Sequence, residues 1–564
     1  MLYFTIRNTV LFYSFALDMK EQAKLDRFLV FLEKSGVEKF VPKEEGKPLG
    51  GRPGFNQYDM LATIIYAFAF NGGTLRDIAS SCKFDIRFAY LMEMQTPSHM
   101  AFGSFIKRVI EPNSEAIFAC LTKEIFRECR LDFSTCFIDG TKQEANCNKY
   151  KFVWRPTTLH LKLSDKIRAF LTRIGIADGI PSYGLISSML VANKLSLVDE
   201  ALRRQGLGAD SIVIRRGIRH TISEKNHIEL SGMLERLLAY EEKERICGKR
   251  NSYYKTDEDA TAMCLKTDYY AGLGSSMHAA YSEQIIVSHG LIACYFVSSE
   301  TSDSKAFFPA IDKFKKMYGT YPKSIGADAG YGTSGIYDYL AANKIEAFVK
   351  PMNWEGEVSG RMPWAFEMNG DGSIVCLGGK TGKPVSIPDR HPRLKEAVFY
   401  KVEDCFGCKF MACCRRFMKE PEGTEKIFEV RPRYQRQIQE ARDLLLSPRG
   451  IEMRVNRSCQ VEGSFGNVKQ DMEYTRFRRR GRENVSAEYM LECLGCNIRK
   501  LFKSFEGKES FEYWKAPEGL APEKMRKISA KRIANHVRKQ KRKQPNDIAK
   551  EGYKYAGRNQ KGAA

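Results

Sequence analysis

The chain has 564 residues, with 90 Lys and Arg against 68 Asp and Glu, giving a formal charge of +22. That length exceeds what one hydrophobic core serves and implies several structural units, while 43% hydrophobic and 12% aromatic residues are the composition of a globular protein. No stretch reaches the roughly 18 to 20 apolar residues needed to cross a bilayer. The charge excess selects a polyanionic partner, nucleic acid ahead of a membrane surface. The 16 cysteines are too sparse for a secreted disulfide scaffold and read as reduced thiols plus at most one metal site, which places the protein in the cytoplasm.

At the start, "TVLFYSFAL" has the apolar character of a signal peptide, but no small-x-small cleavage site follows it. Residues 1–18 are therefore read as an upstream extension, with translation beginning at Met19. Residues 19–115 carry helical patterning: "YDMLATIIYAFAFNG" is an apolar helix, Thr74 with Asp77 three residues on is a capping-box start, and another helix begins after Pro97. Short helices, Gly-containing turns and exposed Arg76, Lys83, Arg87, Lys107 and Arg108 suit a DNA-binding-like helical domain.

In residues 116–155 the apolar run Cys136-Phe137-Ile138 ends on Asp139, followed by Gly140. An Asp-Gly pair after a strand is a hairpin signal, with Tyr150 to Trp154 as the returning strand; the other reading is a carboxylate held at a strand end for chemistry. Residues 156–255 form a helical insertion, with Ile228, Met233, Leu234, Leu237 and Leu238 on one face of a charged helix. Strand signals resume over 256–350 in "HAAYSEQIIVS", "LIACYFVSS", "KSIGADAGYG" and "EAFVKP", with a helix from about Ser304 to Tyr318 between the second and third. Strands with intervening helices imply an α/β class with a mixed sheet.

Within this region Asp328 also ends a short apolar strand. Residues 351–431 are rich in Gly, Pro and Cys and weakly patterned. Cys405 and Cys408, with Cys414 and the upstream Cys376, offer four thiolates for a structural Zn²⁺, Cys413 being the alternative to its neighbour and a set of reduced core thiols the other reading. Residues 432–505 are helical, and Val461, Phe465, Val468 and Met472 recur as a buried stripe with Glu462 at its edge and Lys469 two turns further on. Arg476, Arg478, Arg479, Arg480 and Arg482 follow at a density suited to phosphate contacts. The tail, 506–564, is basic and sequence-tolerant in any binding to polyanions.

Three segments together, "FIDGTKQEANCNKYKFVW", "ADAGYG" and "VEGSFGNVKQ" with its Glu-x6-Lys spacing, resemble the insertion-sequence transposases that carry a DDE triad on a ribonuclease-H-like fold. "KTDEDATAM" and "SDSKAFFPAIDKF" fit the same group, and the resemblance covers roughly residues 20 to 505. It implies Asp139, Asp328 and Glu462 as catalytic residues holding Mg²⁺ or Mn²⁺, and Lys469 on a phosphate. It also implies DNA as partner and an assembly of at least two subunits, a homodimer in the synaptic complex. The wider clan carries Tyr and Arg at fixed distances before its Glu, where this chain has Val455 and Ser458, with Arg457 one place off. A ribonuclease-H-like nuclease without strand transfer, or a DNA-binding derivative that has lost catalysis, are the alternative readings.

Overall fold

The central sheet is built around β1, Thr135–Glu144. In chain order it is followed by β2 (Phe152–Trp154), β3 (Ser252–Tyr254), β4 (Thr261–Met263), β5 (His278–Ser288), β6 (Leu291–Ser298), β7 (Ser324–Ala327) and β8 (Glu346–Val349). In this computed structural model the described residues are 19–42, 54–72, 74–215, 217–265, 277–352, 354, 366–369, 371–386, 396–414 and 424–515. The expected extension at 1–18 and the tail beyond residue 515 lie outside them. Among the described residues no helix is long and apolar enough to cross a membrane.

The sheet runs β4-β5-β1-β7-β8, with β6 also paired to β5. β1 is antiparallel to β5 and parallel to β7, which is in turn parallel to β8. Cys136, Phe137 and Ile138 are fully buried, as expected for strand residues covered on both faces. β1 does not stop at Asp139, however, and there is no hairpin there. It continues to Glu144 against β5, with Asp139 opposite Ile285, whereas β7 ends at Ala327, opposite Ile138. Asp139 thus stands at the first level where β1 has outrun its parallel neighbour. The expected returning strand, β2, pairs with β3 instead.

β2 and β3 form a two-stranded neck beneath the helical insertion, whose helices Thr157–Arg173, Ser188–Arg204 and Ile222–Cys247 enclose a separate small core of Leu163, Ile167, Phe170, Leu230, Met233 and Leu237. Leu238, expected on that inner face, is exposed, because 3.6 residues per turn carry it past the seam that Leu230, Met233 and Leu237 define. The described residues between 366 and 430, weakly patterned in sequence, form a second, antiparallel sheet: β9 (Phe366–Met368), β10 (Ile374–Cys376), β11 (Thr381–Val385), β12 (Val398–Val402) and β13 (Lys426–Val430), each paired with the next.

The N-terminal helices share the core of the α/β body. Helix Gln57–Phe70 is buried from Met60 to Ala69 and packs on the long helix Arg482–Phe505, the final helix among the described residues, which is buried almost throughout. The capping box at Thr74 and Asp77 forms as expected. Where the two helices cross, a Cβ on Gly495 would lie 2.6 Å from the Phe68 carbonyl oxygen, so only glycine admits this approach. Gly495→Ala is therefore expected to lower stability by about 1–3 kcal/mol through overpacking, measured as a shift of the denaturant midpoint.

Candidate active site

Because Ile138 and Ala327 are register partners, the next residues on each strand, Asp139 and Asp328, are placed side by side. Both are drawn to one guanidinium. Arg457 Nη2 lies 2.7 Å from Asp139 Oδ2 and 3.7 Å from Asp328 Oδ2, and the Arg457 side chain is only 7% exposed. Lys350, at the end of β8, contacts the other oxygen of Asp328 at 3.2 Å. The Gly140 N–H donates to Asp139 Oδ1 at 2.8 Å.

These neighbours drive the two carboxyl groups in opposite directions. Burial is the largest influence on Asp139 and, with the Asp328 charge beside it, raises it above the ordinary aspartate range despite Arg457 and the Gly140 N–H. Burial also pushes Asp328 up, but Lys350, Arg457 and the Ala329 N–H outweigh it and hold this group below that range. Two adjacent acids separated in this way favour one charge over two. The backing is tight: a Cβ on Gly140 would collide with Gln284, which donates to Asp303 Oδ1 at 3.0 Å, so a third acid lies behind the pair.

Arg457 ends helix Pro448–Arg457, and a π turn, Ser458–Glu462, follows at once. In a π turn residues five apart stack as residues four apart do in an α-helix. The extra residue therefore carries Arg457, one place off the transposase spacing, onto the same side of the helix as Glu462. Of the expected stripe Val461, Val468 and Met472 are buried and Phe465 is half-buried, and Glu462 is exposed. Its side chain makes no hydrogen bond or ion pair among the described residues. Nor, among these residues, do three or more His, Cys, Asp or Glu side chains gather closely enough to hold a metal ion. The structure thus brings Asp139 and Asp328 together and leaves Glu462 apart.

Lys469, in a second π turn, donates to Thr141 Oγ1 at 2.9 Å and to the Lys142 carbonyl at 2.7 Å, so it ties the Glu462 helix to β1 just beyond Asp139. Beside it, Glu283 of β5 is fully buried and pushed up to about 7 by that burial, with Lys469 opposing. Of the arginines, Arg476, Arg478, Arg480 and Arg482 are exposed, while Arg479 turns inward onto Glu111. Their loop is held by three acids, two of them buried: Glu488 accepts from the backbone N–H groups of Arg478 and Arg479 and Asp257 from Gly481, while the half-buried Asp259 accepts from Arg482. The "KTDEDATAM" segment thus anchors the arginine loop.

The four candidate zinc ligands, Cys376, Cys405, Cys408 and Cys414, line one small cavity in the second sheet. They are gathered without forming a ligand array, and Lys426 Nζ lies 2.8 Å from Cys414 Sγ. Sequence reasoning missed Lys350, Asp303 and Glu283. Lys350 carried a signal, since it directly follows the strand that lies parallel to β7.

Two outcomes follow from this geometry. Arg457→Ala, measured in chelator by denaturant unfolding, is expected to cost about 3–5 kcal/mol by leaving the partly buried Asp139 without a cation while Asp328 keeps Lys350, and the added change Asp139→Asn to recover part of that loss. For Glu283, whose folded pKa is raised, the native state holds the proton between the unfolded value and about 7, so its contribution is present at low pH and is lost as pH rises through that window. Glu283→Gln should therefore gain stability relative to the wild type between about pH 5 and about pH 8.

Residues 375–502 match the family described as the transposase DDE domain. The matched stretch contains Glu462, Arg457, Lys469, the arginine loop and the four cysteines; Asp139 and Asp328 precede it. No curated protein and no solved structure matches the chain. The transposase DDE domain matched over 375–502, with the motifs around Asp139 and Asp328 upstream of it, supports an insertion-sequence DDE transposase.

Proposed function

We propose that this transposase binds the ends of its own element, cleaves the phosphodiester bonds there and joins the freed 3′-hydroxyls to target DNA. The observation that carries the reading is the pairing of Asp139 and Asp328 on one shared cation, with Glu462 on the helix that supplies it. The order β6-β5-β1-β7-β8, with only β5 antiparallel to β1, supports a ribonuclease-H-like core.

Asp139 and Asp328 fit a divalent metal: they are hard oxygen donors that converge on a single positive group, and Mg²⁺ or Mn²⁺ takes such ligands. Held by Asp139, Asp328 and Glu462, two such ions would supply Lewis-acid charge at the phosphate and a nucleophile activated near neutral pH. Arg457 stabilises the paired carboxylates until then and is placed to meet a phosphate oxygen afterwards. Lys469 sets the position of the Glu462 helix on β1, and its charge faces the same region. Arg476, Arg478, Arg480 and Arg482 offer exposed guanidinium groups for backbone phosphates, giving salt-dependent, sequence-tolerant affinity. The cysteine-lined cavity supports a structural Zn²⁺ on Cys376, Cys405, Cys408 and Cys414. The active form is a homodimer on paired DNA ends, working on the nucleoid in the cytoplasm.

A second reading, a DNA-binding derivative without catalysis, draws on the separation of Glu462 from the two aspartates. The two are told apart by incubating a labelled duplex carrying the element's candidate terminal repeat with Mg²⁺ or EDTA. The wild type should nick at the repeat boundary only with Mg²⁺, and Glu462→Gln should slow this by at least about a hundredfold while binding persists. Binding without any cut by the wild type, where a known relative cuts, would favour the inactive derivative.

A further inference from the structure

Strand β2 and the turn before it read Lys149-Tyr150-Lys151-Phe152-Val153-Trp154-Arg155. Tyr150, Phe152 and Trp154 are 81%, 45% and 55% exposed. Large apolar side chains exposed singly are ordinary, but three aromatics at alternating positions form a row that water disfavours. The Phe152 and Trp154 rings pack edge to face, with centroids 5.7 Å apart. Lys149, Lys151 and Arg155 are exposed between and beside them, and no acid occurs from Cys147 to Arg155.

The row is held rigidly. Phe152 and Trp154 pair with Tyr254 and Ser252 of β3, Arg155 N donates to the Asn251 carbonyl at 2.8 Å, and Lys255 N to the Lys151 carbonyl at 3.0 Å. It is also continuous with the arginine loop. Arg480 Nε donates to the Asn146 carbonyl at 2.8 Å, Asn146 Nδ2 to the Arg478 carbonyl at 2.6 Å, and Arg476 reaches the Cys147 carbonyl at 3.5 Å. A DNA backbone following the exposed arginines would meet the aromatic row next.

Aromatic faces with interleaved cations suit nucleobases, but in a duplex the base faces are covered by their neighbours, so stacking on a protein needs unpaired nucleotides. Resting on the reading of the chain as a DNA-end transposase, we propose that β2 is a stacking platform for unpaired nucleotides at the DNA end. Tyr150, Phe152 and Trp154 take base faces, and Lys149, Lys151 and Arg155 take the phosphates between them.

The test measures binding of the full chain to a blunt duplex of the terminal repeat and to the same duplex with a single-stranded extension of about five nucleotides containing 2-aminopurine. The wild type should bind the extended duplex more tightly and change the 2-aminopurine emission. The double variant Phe152→Thr/Trp154→Thr should lose at least about tenfold on the extended duplex, stay within about twofold on the blunt one, and leave the emission unchanged. Trp154→Phe, which keeps a stacking face, should retain most of the affinity. Equal losses on both duplexes, or none on either, would overturn the proposal, as would loss of self-association in place of extension binding. A wild type that binds neither duplex would overturn the transposase reading on which the proposal rests, whereas intact blunt-end binding with an indifferent double variant would overturn the platform alone.

Discussion

Two carboxylates side by side at the covered end of parallel strands repel by about 4 kcal/mol if they sit roughly 4 Å apart at an effective dielectric near 20. The register of β1 with β7 forces Asp139 and Asp328 into that position, and Arg457 offsets it. Much of the neighbouring structure follows from that need. The guanidinium must come from an element that packs across the end of β7, and helix Pro448–Arg457 does so. Glu462 lies on the π turn that directly continues that helix, so the group that neutralises the pair and the proposed third acid share one element, although Glu462 stands apart from the two aspartates.

The same physical logic appears behind the sheet. Gly140 leaves room for Gln284 and Asp303 directly beneath Asp139, while Lys469 pins the Glu462 helix to Thr141 and Lys142. Glu283, Glu488 and Glu492 are buried along the final helix and β5; Glu488 spends its oxygens on the backbone of Arg478 and Arg479. Acids inside and arginines outside make the loop between Arg476 and Arg482 a presentation device: its backbone is fixed from within and most of its guanidinium groups face solvent.

What could be read from the sequence was set by how continuous each signal was. β5 and β6 were legible almost to the residue: β6, covered on both faces, reads as an apolar run, and β5 is apolar on either side of Ser282-Glu283-Gln284. The far half of β1 was not, because beyond Asp139 the strand loses its β7 neighbour and turns polar while still pairing with β5. The antiparallel sheet of residues 366–430 stayed hidden because its strands are three to five residues long and one of them contains Pro384. The motifs pointed to Asp139, Asp328 and Glu462, of which the structure brings the two aspartates together and leaves Glu462 apart, and the four cysteines named from spacing line one cavity. Arg457 was discounted, because a fixed spacing cannot anticipate a π turn that shifts the helix register by one.

In the proposed centre Asp139, Asp328 and Glu462 converge on the metal when DNA is bound. Fe²⁺ substituted for Mg²⁺ in the protein–DNA complex, with ascorbate and peroxide, generates hydroxyl radicals that cut the polypeptide next to the bound ion. Mapping those cuts tests the claim without relying on DNA cleavage. Cuts beside residues 139, 328 and 462 that Mg²⁺ suppresses by competition are expected. Cuts confined to the two aspartates, or clustered elsewhere with the region around Glu462 untouched, would contradict it.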